Sequence, residues 1–450
     1  KGVEELNNSP AFQEVKSKEF NEYLPAEDFL GDEGLLANSN TSRRDFLKYL
    51  GFGVTAASLA ACEAPVNKVI PHVVKGDKTN PGVANYFATN YADGFDYCDI
   101  VVKTREGRPI KIEGNKKSPL TGGAINARVN SSVLSLYDEK RYRAPEIGGT
   151  PSTWSKFNGT VKKQLSDALA NGGKVRILTN SITSPSTKKL VADFVAANPS
   201  ADIKHVSYDA VSASGMLEAN KESFGVATLP TYDLSKANSI VIIGADFMNM
   251  FPSSIELTSQ YAKGRKPENG WMSKHFQFEA SLSLSGSNAD VRMPMKPSEY
   301  GKTVAAIYNY LNGNKSNVAP KVKMAAEHLL ANKGESIVLC GSNDKDIQNV
   351  VIAINHMLGN YGTTVNITRS SNQRQGVDAD VASLVKDLKS GSVDVLLIDG
   401  VNPVYSMPAE MDFKGAMAKA KTSIVFASRP TETSAEAKMV GAAPHYLESW

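Results

Sequence analysis

Short apolar runs rich in Val, Ile and Leu alternate with amphipathic stretches from residue 150 to the end of the chain. Continuous apolar runs of this kind are typical of parallel strands that are buried on both faces. They predict strands at residues 174–178, 239–243, 276–279, 336–339, 393–398 and 423–426. The amphipathic stretches predict helices at residues 186–197, 299–312, 319–332, 346–358, 378–388 and 409–420. This alternation predicts doubly wound, Rossmann-like α/β domains.

Residues 98–115 show the two-residue period of a β-hairpin instead. Two alternating stretches flank Glu106-Gly107, where glycine supplies the positive φ angle that a tight turn requires. A glycine-containing segment at residues 122–128 follows, and then a helical stretch that ends at Leu136-Tyr137-Asp138. These features predict a small β-hairpin domain ahead of the α/β part.

The chain is predicted to contain five segments that differ in composition. They are an extended arm at 1–40, a signal-like segment at 41–62, a hairpin domain at 63–148, a first α/β domain at 149–315 and a second, truncated α/β domain at 316–450. The boundary between the two α/β domains is placed in a polar stretch near residues 311–320.

Composition excludes several classes of protein. The chain has 450 residues, and 50 Lys and Arg against 47 Asp and Glu give a net charge of only +3. No strongly basic field therefore favours nucleic-acid binding. No apolar run is long enough to predict a transmembrane helix. The chain has three cysteines, so it cannot supply the four thiolates that a cysteine-ligated iron–sulfur cluster needs.

An export signal is predicted close to the start of the sequence. Arg43 and Arg44 precede Phe46-Leu47-Lys48 and a small-residue apolar stretch, which resembles a twin-arginine signal. Leu59-Ala60-Ala61-Cys62 resembles a lipobox and makes Cys62 a candidate lipidation site. The alternative is that this segment is retained without processing. We expect the protein on the periplasmic side of a bacterial inner membrane.

Residues 81–145 resemble the N-terminal domain of the molybdopterin oxidoreductase family. In that family three cysteines precede or open the hairpin and a fourth follows it, and together they hold a [4Fe–4S] cluster beside the molybdenum cofactor. Here Cys98 stands at the third position and Asn126 at the fourth, and residues 90–94 contain no thiol. Arg128 keeps the family's basic position. The resemblance therefore implies the scaffold of this domain without its cluster.

These departures predict a structural role for each residue. Asn cannot replace the soft, anionic sulfur that such a cluster needs, so Cys98 is expected as a buried small apolar residue. Arg128 is expected in an ion pair, and Cys340 in the core of a strand. No catalytic residue, cofactor-binding residue or metal ligand is predicted in this chain, and no motif supports NAD or ATP binding.

Three loops after predicted strands resemble loops that contact the pterin cofactor in active family members. They cover residues 243–247, 285–290 and 399–403. The first and third also have a structural interpretation, because Asp246 can cap a helix and both Gly400 and Asn402 can form turns.

The combination of the export motif, the cluster-free scaffold and the segment 428–450 is similar to the large iron–sulfur subunits of alternative complex III, a bacterial quinol-oxidising respiratory complex. The resemblance implies a cofactor-free scaffold that helps to pass electrons from menaquinol to a cytochrome c or an oxidase. It implies iron–sulfur clusters in a ferredoxin-like domain beyond Trp450 of the same polypeptide. The implied partners are a multihaem cytochrome c subunit, polytopic quinol-binding membrane subunits and a terminal oxidase.

Two alternatives remain open on the sequence. The first is an active molybdenum-containing oxidoreductase with an atypical site, which metal analysis distinguishes from a scaffold. The second is an exported solute-binding module that uses the loops at the strand ends. Recovery as a free soluble monomer favours the module, and purification from membranes favours the complex.

Overall fold

The Val-, Ile- and Leu-rich runs form parallel-paired strands of two sheets in a computed structural model. This structure describes residues 80, 82–170 and 172–449, and the residues from Val83 onward belong to one compact unit. The predicted arm at 1–40 and the signal-like segment with Arg43, Arg44 and Cys62 lie outside the described residues. Within the described part no helix is long and apolar enough to cross a membrane.

The predicted hairpin is present within a three-stranded antiparallel sheet. Its strands are β1 (Asn85–Ala92), β2 (Tyr97–Arg105) and β3 (Arg108–Gly114), paired in that order. Glu106 and Gly107 form the turn and both have positive φ angles, as the turn chemistry predicts. Strand β1 was not predicted. Helix α1 (Ala127–Ser131) and a 3₁₀ helix (Ser132–Tyr137) follow the sheet.

The other strands belong to the α/β part or to a short ribbon beside it. They are β4 (Glu146–Ile147), β5 (Thr150–Pro151), β6 (Lys174–Thr179), β7 (Asp202–Ser207), β8 (Leu229–Tyr232), β9 (Ser239–Ile243), β10 (Lys274–Glu279), β11 (Val291–Pro294), β12 (Ser336–Cys340), β13 (Val365–Ser371), β14 (Val395–Asp399), β15 (Thr422–Ala427) and β16 (Met439–Ala442). All six predicted strands are among them.

Helices cover the sheets and connect their strands. They are α2 (Trp154–Ala170), α3 (Pro185–Ala196), α4 (Ser214–Phe224), α5 (Ser254–Lys263), α6 (Leu284–Ser287), α7 (Tyr300–Leu311), α8 (Pro320–Ala331), α9 (Lys345–Met357), α10 (Asp378–Lys389), α11 (Pro403–Ser406), α12 (Phe413–Ala418) and α13 (Glu432–Ala435). The predicted helix at 409–420 is split, because Asp412 adopts a left-handed conformation with φ 43° between a 3₁₀ turn and α12.

The sheets combine distant parts of the chain. One sheet has the order β11-β10-β9-β12, and the larger sheet has the order β5-β4-β16-β15-β14-β6-β7. The predicted boundary at residue 315 does not follow these sheets, since β12 lies beyond it and pairs with β9, while β6 lies before it and pairs with β14. Local composition near residue 315 marks only an exposed connection, and pairing between distant strands decides the architecture.

The hairpin sheet packs against the α/β part through a small apolar core. Cys98, Ile100 and Ile112 are fully buried in it. Ile255 of α5 and Tyr446, close to the last described residue, belong to the same cluster. Cys98, at a position that holds a cluster ligand in the resembled family, therefore lies where the hairpin sheet meets the rest of the described part.

Candidate functional site

Asn126 organises the start of α1 at the position of the family's fourth cysteine. Its side-chain oxygen accepts a hydrogen bond from the Val129 amide at 2.9 Å and so caps the helix. Its amide nitrogen donates to Asp96 at 2.9 Å. Because Asn126 serves both partners, its neutral amide has a structural task at this position.

Arg128 and Asp96 form an ion pair at this position. The guanidinium donates from Nε to Asp96 at 2.6 Å and from Nη2 at 2.9 Å, and the Asp96 side chain is only 1% exposed. The same guanidinium donates to the Asn249 side chain at 2.5 Å and to its carbonyl at 3.0 Å. Asn249 lies in the loop after β9. The predicted ion pair of Arg128 is confirmed, and it links the hairpin domain to the α/β part.

Two guanidinium groups lie against the ring of Phe95, next to this ion pair. Arg128 is 4.9 Å and Arg374 is 4.3 Å from the ring centroid. Arg374 is 2% exposed, and its Nε and Nη2 have no hydrogen-bond partner among the described residues. Burial lowers the pKa of Arg374 to about 10, although the charges of Asp209 and Asp96 favour its protonated form. An aromatic and ionic cluster thus occupies the junction.

The Cys98 thiol does not have the properties of a metal ligand. It is completely buried in the hairpin core, as predicted, and burial raises its pKa to about 12, with the nearby carboxylates adding to the effect. A thiol with such a pKa remains protonated at neutral pH, whereas a cluster needs the thiolate. Cys340 is likewise buried in β12, as predicted.

The residues at this position do not fit a [4Fe–4S] cluster. Among the described residues Cys98 is the only thiol at this position, and they contain no group of three or more His, Cys, Asp or Glu side chains placed to hold a metal. Asn126 and Arg128 use their polar atoms for contacts within the protein. The residues described at this position thus differ from the ligands of a [4Fe–4S] cluster in both number and chemistry.

The first two loops that resemble cofactor loops bind each other. Asp246, after β9, accepts hydrogen bonds from the Ser285 amide at 3.1 Å and the Ser285 hydroxyl at 2.7 Å. Glu279, at the end of β10, accepts from the Ser283 amide at 3.2 Å and from Arg292 at 2.5 Å. Two carboxylates of this chain therefore use the donors of the loop that opens α6.

Gly286 shows how closely Glu279 fills this loop. A Cβ atom at residue 286 would lie 1.9 Å from a carboxylate oxygen of Glu279, so only glycine fits. Burial opposes ionisation, yet the hydrogen bonds from Ser283 and Arg292 hold the pKa of Glu279 below its ordinary value. The Glu279 carboxylate is paired with Arg292 and occupies the Ser283 donors, so an anion such as a cofactor phosphate would have to displace it from them.

The third loop has internal partners as well. The Asn402 side chain accepts hydrogen bonds from the Thr433 amide at 3.1 Å and hydroxyl at 2.7 Å, and donates to Glu432 at 2.7 Å. Gly244 of the first loop is covered by Tyr300, whose ring would lie 2.3 Å from a Cβ atom at residue 244. These donors, and the space beside Gly244, are thus taken by the chain itself, which does not favour a phosphate-bearing pterin cofactor at these positions.

A ladder of buried polar side chains follows one face of β10. His275, Gln277 and Glu279 stand at alternate positions and are at most 4% exposed. His275 Nε2 lies 3.0 Å from the Gln277 oxygen, and the Gln277 nitrogen donates to Glu279 at 3.1 Å. Because this nitrogen also donates to the Ala245 carbonyl, the Gln277 oxygen accepts and His275 Nε2 carries the proton. Burial lowers the pKa of His275 to about 4.

Sequence comparisons give distant relatives. No protein-family model matches the chain. It is 22% identical, over 88% of its length, to a protein of Nitratidesulfovibrio vulgaris Hildenborough named menaquinone reductase, molybdopterin-binding-like subunit. It is 22% identical, over 57% of its length, to the alpha subunit of formate dehydrogenase 2 (cytochrome c-553) of the same organism. The chain spans 64% of the first relative and 26% of the second.

Structural comparison agrees with this fold. Acetylene hydratase from Pelobacter acetylenicus superimposes with a TM-score of 0.56 and 11% identity, over 78% of this chain and 62% of that one. In fold the chain is a molybdopterin oxidoreductase-like α/β protein, and the predicted fold class is confirmed. The relative that it matches over most of its length is itself named a molybdopterin-binding-like subunit.

Proposed function

We propose that this chain is a cofactor-free scaffold of a membrane-bound respiratory quinol-oxidising complex of the alternative complex III type. The observation that supports it best is the Asp96–Arg128 ion pair, which stands with Asn126 at the position of the cluster ligands. A thiolate-held cluster does not fit beside this ion pair, because Asn126, at the position of the fourth ligand, supplies no thiolate and uses its amide for Asp96 and Val129. The role that we propose for the chain is to act as a scaffold and to bind the other subunits of the complex.

The loops at the strand ends support the same proposal. Their donors bind Asp246, Glu279 and Glu432 of this chain, so a pterin cofactor with anionic phosphates would have to displace internal carboxylates. We therefore derive no reaction step through molybdenum. The relative named menaquinone reductase supports a quinone-linked respiratory context for a protein of this fold.

In the proposed complex, electrons pass from menaquinol to a cytochrome c or an oxidase through centres outside residues 1–450. The scaffold holds a ferredoxin-like continuation of the same polypeptide, which carries the iron–sulfur clusters. It also binds a multihaem cytochrome c subunit and polytopic quinol-binding subunits. We place it on the periplasmic face of the inner membrane, exported through the segment with Arg43 and Arg44 and with Cys62 as the candidate lipid anchor.

Purification of the native protein from its own membranes tests this proposal. We expect the chain to remain, after detergent extraction, in one particle with haem-containing and polytopic subunits, and we expect that particle to oxidise a menaquinol analogue. A chain recovered as a free soluble monomer would contradict the proposal and favour the exported solute-binding module.

A further inference from the structure

Positive charge is concentrated around the Glu106-Gly107 turn of the hairpin domain. Residues 97–117, from the start of β2 to the loop after β3, contain six basic and three acidic residues. Their net charge of +3 equals the net charge of the whole 450-residue chain, so the other residues together carry no net charge. The six basic residues are Lys103, Arg105, Arg108, Lys111, Lys116 and Lys117.

The hairpin places like charges directly opposite each other. Lys103 of β2 pairs in register with Lys111 of β3, and Arg105 pairs with Arg108. Val102, the neighbour of Lys103, is buried in the hairpin core, so the lysine pair lies on the outer face of the sheet. Like charges at opposite positions of a sheet destabilise it. The free hairpin therefore carries a repulsion that a negatively charged partner would relieve.

Carboxylates of the same segment offset only part of this charge. Asp99 accepts a hydrogen bond from the Ser118 hydroxyl at 2.6 Å, and Glu113 pairs with Lys111 at 3.2 Å. The other five basic side chains form no ion pair with any residue that the structure describes. Within residues 97–117, Glu106 alone remains to oppose five unpaired positive charges.

Exposed apolar side chains lie beside these charges. Tyr86 of β1 stands opposite Lys103, whose ammonium lies 5.8 Å from the ring centroid, and Tyr86 is 56% exposed. Phe87 and Ile110, which precedes Lys111, are also exposed. Basic residues mixed with exposed aromatic and aliphatic side chains are typical of surfaces that bind the headgroup layer of a membrane. Protein interfaces, in contrast, are depleted in lysine, which supplies four of the six basic residues here.

We propose that the outer face of this hairpin, which we call the basic face, binds the surface of a membrane that contains anionic phospholipids. The ammonium and guanidinium groups pair with lipid phosphates, and the exposed apolar side chains beside them enter the headgroup layer. In the sequence only residues 63–84 separate β1 from Cys62, the candidate lipid anchor. The inference rests on the proposed function, because the membrane is the one that holds the complex.

Sedimentation with lipid vesicles tests this proposal on the purified chain of residues 1–450, with Cys62→Ser in every sample so that lipidation does not contribute. We expect the chain to sediment with vesicles of equal parts phosphatidylglycerol and phosphatidylcholine, and to bind pure phosphatidylcholine vesicles far more weakly. Added salt should weaken the binding, because ions screen the attraction. Equal binding to both kinds of vesicle, or binding to neither, would overturn the inference.

Neutralisation of one opposed pair locates the binding. Lys103→Gln with Lys111→Gln removes two charges, each of which contributes about fivefold to affinity at an anionic surface, so we expect binding about 25-fold weaker. Lys162→Gln with Lys163→Gln, at exposed positions of α2, is the matched control and should bind like the wild type. Because all samples share residues 1–79, their differences report the substituted sites. Equal losses in both variants, or no loss in the first, would contradict the proposal.

Two further measurements separate the remaining interpretations. The variant Lys103→Gln with Lys111→Gln should melt no lower than the wild type, because it relieves the repulsion between opposed charges. A lower melting temperature would assign these lysines to the stability of the hairpin and overturn the inference. Polyglutamate that binds the wild type when anionic vesicles do not would assign an acidic protein partner instead.

Failure of this inference can be distinguished from failure of the proposed function. A chain that is purified within a haem-containing membrane particle but does not bind anionic vesicles overturns the lipid contact alone. Isolation of the native chain without any partner subunit overturns the proposed function.

Discussion

Arg128→Met is expected to lower the free energy of unfolding by about 3 kcal/mol. Methionine keeps the apolar stem and removes the charge, which leaves the Asp96 carboxylate, 1% exposed, without its main partner. Loss of one partner from a buried pair costs more than the pair contributes, because the remaining charge stays out of water. The Arg128 side chain is 39% exposed, so the expected loss lies at the lower end of the usual range.

Arg429→Met is the matched control for this substitution. Arg429 is 63% exposed and lies 3.9 Å from Asp138, so we expect its loss to cost less than about 1 kcal/mol. Urea unfolding of both variants and of the double variant Asp96→Asn with Arg128→Met provides the comparison. The double variant should recover part of the loss, because it removes the unpaired carboxylate. Equal stabilities of Arg128→Met and Arg429→Met would show that the ion pair does not hold the junction.

Stability is expected to fall by about 2 kcal/mol between pH 7 and pH 5 through His275 alone. The pKa of this side chain is 6.5 when exposed and about 4 in the folded protein, because the ring is buried. Between these values the unfolded chain binds a proton that the folded chain does not, so stability is complete above pH 6.5 and is lost as the pH falls towards 4.

Groups around His275 influence this titration in both directions. The charges of Asp290 and Glu279 and the bond to Gln277 favour the protonated ring, while Arg265 disfavours it. The Tyr261 hydroxyl lies 3.2 Å from Nδ1 and donates to the Asn288 carbonyl at 2.9 Å. Burial is the largest cause and sets the direction.

His275→Gln isolates the contribution of this side chain, because other histidines also titrate in this range. We expect urea unfolding of the variant at pH 7 and pH 5 to show a pH dependence that is weaker by about 2 kcal/mol than in the wild type. A variant His275→Gln with the full wild-type dependence would contradict the assigned role.

The fold could be predicted where the pattern is local and strong. All six apolar runs form strands, because β-branched residues at consecutive positions suit a strand that is covered on both faces. Strands β7 (DIKHVS) and β8 (LPTY) were not predicted, because polar residues interrupt their apolar pattern. Pairing with β6 and β13 holds these two strands in place. The sheets likewise pair strands from both sides of the boundary predicted at residue 315, which local composition does not reveal.

The candidate site could be predicted only in part. The resemblance to the molybdopterin oxidoreductase family pointed to Cys98, Asn126 and Arg128. The burial of Cys98 and the ion pair of Arg128 could then be predicted from the chemistry of these side chains. Asp96 was missed although it stands two residues before Cys98, since a single carboxylate gives no signal until its partner is known. Glu279 was missed as well, but the alternation of His275, Gln277 and Glu279 within a buried strand was a signal that the sequence did contain.

Metal analysis of the purified chain tests the central claim most directly. The chain of residues 1–450, produced with iron and molybdenum in the medium and purified without chelators, is analysed for both elements and for released pterin. A formate dehydrogenase is processed in parallel as a positive control. We predict neither iron nor molybdenum in stoichiometric amount and no pterin. Four iron atoms per chain with the absorption of a thiolate-bound cluster, or one molybdenum atom per chain, would contradict the account.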